Sequence, residues 1–221
     1  MLNRAEEDYI KTIYELTIQN EDILVKTNVI SEHFGYTDQS VNEMIKKLAN
    51  KKLVSFLPYK GVKLTPKGRN EAIRMVRVHR IWEVFLTEKL GFSWEDVHED
   101  AEKLEHATSK DLLERLYAFL GKPDYCQHGN PIPDENGLVK LVSHFSLDQC
   151  SVGDCFKMTR VLDFKALLTY LNQENISLND EFEVIEKDEF NSIIKIKHQH
   201  EEITISLKTA KMLFGSVVNK S

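Results

Sequence analysis

The sequence predicts a mainly α protein that ends in a small β domain. Three observations carry this prediction: apolar residues recur at helical spacing from about residue 5 to 120, turn residues crowd between 122 and 150, and period-two alternation takes over after 180. At 221 residues, 42% hydrophobic and 29% charged, the chain can form one large domain or two to three small ones, each with its own core. Its apolar runs all fall short of the roughly 18 residues of a membrane span. The charged start Met1-Leu-Asn-Arg-Ala-Glu-Glu-Asp lacks a signal-peptide pattern, so a cytoplasmic location with no membrane partner is expected. Three cysteines, an odd number, point away from a disulfide framework and toward buried, reactive or metal-bound thiols.

Residues 5–16 carry Tyr9, Ile10, Ile13, Tyr14 and Leu16 on one side, behind Glu6, Glu7 and Asp8, which suit the positive end of a helix. Residues 26–34 form a short helix closed by Gly35, and Thr37 caps another whose stripe is Val41, Met44, Ile45 and Leu48. Two short helices about a glycine turn make a helix-turn-helix pattern. The apolar stretches on either side of Tyr59-Lys60-Gly61 predict a two-stranded wing. Thr65-Pro66 starts a helix that runs to Leu90 and stops at Gly91. Residues 93–107 and 109–120 form a second helical pair, with more apolar positions than two helices can hide; part of that surface is expected to pair with a second copy. Beyond the connecting segment 122–150, the pattern predicts strands over 152–161, 181–185, 192–196 and 203–207. A helix over 164–172 completes a mostly β unit of SH3-like size.

The net charge of −6 conceals an uneven distribution. Residues 37–80 hold eleven Lys or Arg against three acids, whereas residues 81–221 hold fifteen basic and twenty-five acidic side chains. A basic helix-turn-helix block on an acidic body suits double-stranded DNA. Thr37, Gln39, Ser40 and Asn42 open the second helix of the pair and are the candidate base-reading residues. Lys46, Lys47, Lys51, Lys60 and Lys63 are candidate phosphate contacts, although a solvated face serves any one of them equally well.

The stretch Val97-His-Glu-Asp-Ala-Glu-Lys-Leu-Glu-His106 concentrates metal-ligand chemistry. His98, Glu102, Glu105 and His106 fall within nine residues at helical spacings of three and four. Imidazole nitrogen and carboxylate oxygen suit a divalent transition metal. The same spacing also describes an amphipathic helix with a solvated charged face. His79 and Glu83 lie one turn apart on the long helix, and Tyr125-Cys-Gln-His-Gly adds Cys126 and His128. Cys150 and Cys155 fit better as buried small side chains.

Taken in order, EDYIKTIYEL, the helix-turn-helix with LTPKGR at its wing exit, VRVHRIWEVFL, VHEDAEKLEH and HGNPIP at 128–133 resemble the diphtheria toxin repressor family of metal-dependent transcription regulators. The resemblance implies a winged helix-turn-helix DNA-binding domain over 1–72, a helical metal-binding and dimerisation domain over 73–141, and an SH3-like (FeoA-like) β-barrel domain over 148–221. It implies a homodimer that represses metal-uptake genes on operator DNA, with no small-molecule substrate and no enzymatic role.

The resemblance assigns a principal site to Asp8, Glu102, Glu105 and His106. Iron-responsive members carry sulfur side chains where this chain has Asp8 and Glu102, so Mn2+ is the expected metal, Fe2+ the alternative, and Zn2+ or another divalent ion a possible ligand in vitro. Manganese-responsive members form a further site matching Glu83, Cys126, His128 and Asp163; His79 and His98 belong either there or elsewhere. Asp163, just before FKALLTYL, would serve equally well as a helix cap. A hydrolytic metal enzyme is the competing class, but the chain has neither HExxH nor a Gly-rich phosphate loop. A metal-buffering protein that binds no DNA would leave the basic block unexplained.

Overall fold

The computed structural model describes residues 2–17 and 23–218, which divide into two compact units. The first comprises Met1–His79, Lys103–Leu113 and Pro133–Val139; the second comprises Arg80–Glu102, Glu114–Ile132 and Lys140–Ser221.

The first unit is a winged helix-turn-helix. Helix α1 (Arg4–Thr17) buries Tyr9, Ile10, Ile13 and Tyr14, as the spacing predicts. Its start is a reciprocal capping box: Glu6 N donates to Asn3 Oδ1 and Asn3 N donates to a Glu6 carboxylate oxygen, both at 3.0 Å. Helix α2 (Thr27–Phe34) ends where Gly35 turns left-handed at φ 67°. Thr37 Oγ1 then accepts from Ser40 N at 3.3 Å and starts α3 (Asp38–Asn50), which buries Val41, Ile45 and Leu48. Strands β1 (Val54–Leu57) and β2 (Gly61–Leu64) pair antiparallel as the wing, and Val25 bridges to Val62 beside them. Thr65 Oγ1 accepts from Gly68 N at 3.1 Å, capping α4 (Pro66–Leu90). Gly68 lies against the Leu53 carbonyl, where a Cβ would stand 1.9 Å from the oxygen.

Glu6 does more than cap α1. Its buried carboxylate receives Lys51 Nζ at 2.7 Å and Lys47 Nζ at 3.0 Å, tying the start of α1 to α3. Burial would raise its pKa, but the two lysines and the Asn3 amide outweigh burial and hold it at about 2. The contribution is therefore complete above the ordinary value near 4.5 and is lost as pH falls toward about 2. Glu6→Gln is expected to cost about 1–3 kcal/mol at pH 7. Urea unfolding at pH 7 and at lower pH checks this: the gap to wild type should narrow below pH 4.5, and a gap constant with pH would rule out the ion pairs as its cause.

In the second unit, α4 continues from Arg80, and α5 (Val97–Glu105) and α6 (Lys110–Phe119) each contribute part of their length. The expected helical start at residue 93 is displaced: Ser93 and Asp96 close a turn, with Val97 N on Ser93 O at 3.2 Å, leaving Trp94 ahead of the helix. A 3₁₀ turn, Leu147–Gln149, leads into an antiparallel sheet ordered β6-β5-β4-β3-β7, comprising β3 (Cys155–Val161), β4 (Glu181–Asp188), β5 (Ile193–His198), β6 (Glu201–Ser206) and β7 (Leu213–Val218). Helices α7 (Lys165–Gln173) and α8 (Leu207–Ala210) complete the unit. Its core joins Phe156, Met158, Leu168, Leu171, Phe182 and Ile196, all buried. Cys150 is buried and Cys155 half-buried. Among the described residues no helix is long and apolar enough to cross a membrane.

Candidate metal centres and nucleic-acid interface

A first cluster forms within the first unit where α1 meets the end of α5. Asp8, Glu105 and His106 each bring a donor atom within 4.8 Å of the others. His106 Nε2 lies 2.9 Å from Asp8 Oδ1 and 3.6 Å from Glu105 Oε1, yet among the described residues no well-directed hydrogen bond reaches this buried nitrogen. Cis donors around an octahedral ion with bonds near 2.1 Å stand roughly 3 Å apart, so the three groups fit around one divalent cation. The other ring nitrogen, Nδ1, is 2.8 Å from Glu7 Oε2, and Arg74 donates to Glu7 Oε1 at 2.8 Å. A carboxylate on the far nitrogen fixes the ring and leaves Nε2 as the coordinating atom.

Beside this cluster, Lys11 Nζ lies 2.9 and 3.1 Å from the two Glu105 oxygens and 3.1 Å from His79 Nδ1. His79 Nδ1 is itself 2.5 Å from Glu105 Oε2. Burial would raise the Glu105 pKa, but His79 and Lys11 outweigh it and keep the carboxyl ionised. Glu102 is grouped with the second unit, where its oxygen lies 3.4 Å from His98 Nε2.

The second unit holds two triads that share Glu83. In one, Glu83, Cys126 and His128 are all buried with donors within 4.8 Å; in the other, Glu83, His98 and Asp163 meet the same limit. His128 Nδ1 lies 3.4 Å from Glu83 Oε1 and 3.9 Å from Cys126 Sγ, while Nε2 is 2.8 Å from the Trp94 carbonyl. The carbonyl orients the ring so that Nδ1 faces the carboxylate and the thiol. Burial would lower the His128 pKa, but Cys126 and Glu83 push it up to about 12; burial and Glu83 raise the Cys126 pKa as well. Asp163 is not a helix cap. Phe164 holds the N-cap position of α7 without a side-chain hydrogen bond, and Asp163 Oδ2 lies 2.7 Å from His98 Nδ1. Burial works against the charged form of His98, but Asp163 and Glu102 raise its pKa to about 10.

The helix-turn-helix and wing of the first unit enclose a concave face that includes Gln39, Asn42, Lys46, Lys60, Lys26 and Tyr59. The amides of Gln39 and Asn42 rest on their own helix, donating to Glu43 Oε1 at 3.2 Å and Asp38 O at 2.8 Å. Thr37 and Ser40 are exposed but engaged with each other in the cap. Lys47 and Lys51 face Glu6, and Lys63 is half-buried in β2.

Glu7, Lys11 and the Trp94 carbonyl were not anticipated from the sequence. Glu7 and Lys11 read as ordinary charges on an amphipathic helix; the available signal was that Lys11 follows Asp8 by three residues and shares its face. A main-chain carbonyl carries no side-chain signature.

A winged helix-turn-helix with buried His–carboxylate clusters defines a class, the metal-responsive DNA-binding regulators. Residues 1–62 match the iron dependent repressor N-terminal DNA-binding domain, 65–134 its metal-binding and dimerisation domain, and 145–217 the FeoA domain. The chain is 33% identical, over 96% of its length and 100% of the other chain, to a manganese-dependent transcriptional repressor solved with manganese, at a TM-score of 0.88. It is 32% identical to the manganese regulator SloR, covering 96% of this chain and 98% of that one, at a TM-score of 0.85. It is also 34% identical over 135 residues, 61% of this chain, to the iron-dependent repressor IdeR of Mycobacterium tuberculosis. The matched region spans a little over half, 56%, of that repressor's length. This chain belongs to the diphtheria toxin repressor family of metal-dependent transcriptional repressors, which are not enzymes.

Proposed function

We propose that the protein is a Mn2+-activated repressor that binds operator DNA as a homodimer in the cytoplasm and controls metal-uptake genes, with Fe2+ as the alternative metal. The observation that carries this reading is the geometry around His106: a buried imidazole nitrogen flanked by Asp8 and Glu105, in the unit that bears the recognition helix. The likeness to manganese-dependent repressors supports it, with Glu102 carried over from the family as a fourth ligand. The bound ion supplies positive charge that relieves repulsion among the clustered carboxylates. On the protein side, Glu7 orients the His106 ring, Lys11 offsets the charge of Glu105, and Asp8 links α1 to α5. With α1 held at Asp8, the recognition helices of a dimer are set for successive major grooves, and a coupling of about 1–3 kcal/mol gives a 5- to 150-fold gain in DNA affinity. Gln39 and Asn42 read base edges, and Lys46 and Lys60 meet phosphates.

The thiol and imidazole of Cys126 and His128, with Glu83 and Asp163, form a second, softer centre in this reading; His98 neighbours it through Asp163, and His79 neighbours the first centre through Glu105. Its loading should release protons. Both Cys126 and His128 have raised pKa values, so at pH 7 each holds a proton that coordination must displace. Calorimetric titration with Mn2+ in buffers of different ionisation heat should therefore show up to about two protons released per ion at this centre, with affinity rising as pH rises. Release unchanged in Cys126→Ala with His128→Ala would exclude these two residues as ligands.

A further inference from the structure

The wing tip carries a strained residue that the fold does not need. Leu57 O accepts from Lys60 N at 3.0 Å, closing a turn with Pro58 at its second position and Tyr59 at its third. Tyr59 has φ 64°, and a positive φ at the third position of a turn with proline at the second is where glycine or asparagine normally sits. A bulky side chain there is held against its backbone preference. Among the described residues, the other non-glycine positions with positive φ are Lys, Asn, Ser and Gln; Tyr59 is the sole aromatic. Among the described residues nothing repays the strain, because the ring is fully exposed at 107% of its reference area. The base of the wing, by contrast, is fixed: Gly61 sits so close to Val25 that a Cβ would be 2.6 Å from its carbonyl oxygen. The tip therefore projects from a rigid base onto the same concave face as Gln39, Asn42 and Lys46.

We propose that Tyr59 is a DNA-contacting residue, its ring lying against the sugar or base surface beside the groove read by α3. Backbone strain at an exposed position points to a ligand that makes the side chain worth keeping. The inference rests on the DNA-binding reading above, and it adds a contact independent of charge to the affinity that Lys46 and Lys60 supply.

The test uses the full-length protein and a duplex selected from a random-sequence pool with the Mn2+-loaded wild type. Tyr59→Asn and Tyr59→Gly relieve the strain, so both should melt no lower than wild type while binding the duplex about fivefold or more weakly. The slope of affinity against salt should stay that of wild type, whereas Lys60→Gln should reduce it by about one ion. Affinity within fivefold of wild type, a loss that vanishes at high salt, or a lowered melting temperature in both variants would overturn the proposal. Failure of the wild type itself to select DNA would instead sink the DNA-binding reading, and this inference with it.

Discussion

Replacing His106 with alanine is expected to abolish the response of DNA binding to Mn2+. The variant loses an imidazole nitrogen that Asp8 Oδ1 and Glu105 Oε1 both approach, at 2.9 and 3.6 Å. Without it the cluster loses its imidazole ligand, and the metal-linked gain of about 5- to 150-fold should fall to none. Affinity for DNA in the presence of chelator should stay that of wild type, because His106 lies outside the face formed by α3 and the wing. Glu7→Gln should produce a smaller loss: it leaves Nε2 in place but weakens the carboxylate that orients the ring at 2.8 Å. A titration of DNA affinity against Mn2+ in the three proteins checks the order wild type, Glu7→Gln, His106→Ala. Equal responses in all three would remove His106 from the switch.

Gly129→Ala should be among the most damaging single substitutions in the second unit. Gly129 has φ 75°, and a Cβ would stand 2.1 Å from Thr159 O and 2.9 Å from Arg160 Cα, both backbone atoms of β3. Neither a left-handed alanine nor a shift of a paired strand is cheap, and together they should cost about 3 kcal/mol or more. The loop between Cys126 and Asn130, closed by Gly129 N on Cys126 O at 2.9 Å, also delivers Cys126 and His128 to Glu83. The variant should thus lose metal at the second centre while the first centre still loads. Urea unfolding and metal counts per chain check both parts; a variant that unfolds like wild type and keeps its full metal content would contradict the packing argument.

These two sites differ in how far they could be read from the sequence. Glu105 and His106 were legible because helical spacing and donor chemistry coincide in VHEDAEKLEH, whereas Asp8 entered only through the family resemblance. Period also made α1 to α4 and the wing plain, since each is bounded by a cap or a glycine that has only one good use. The close approach of Gly129 to β3 was not legible, because it joins residues thirty apart through backbone atoms alone. Strand β7 was missed for a related reason. Leu213, Phe214 and Gly215 are consecutively buried, which breaks the alternation, and Gly215 is demanded by Lys157 O, from which a Cβ would be 1.8 Å. The four-residue α8 is too short to leave a period. At Asp163, the place before FKALLTYL allowed a cap while the resemblance implied a ligand; Phe164 at the N-cap and the 2.7 Å contact of Asp163 with His98 set the cap aside.

The measurement that bears most directly on the whole account is the affinity of the wild-type protein for its selected DNA duplex, by fluorescence anisotropy, across an anaerobic titration of Mn2+ and then Fe2+. Tightening of about 5- to 150-fold with Mn2+, reversed by chelator, is the expected result. Identical affinity with metal and with chelator would contradict it and leave the His106 cluster with a structural role alone.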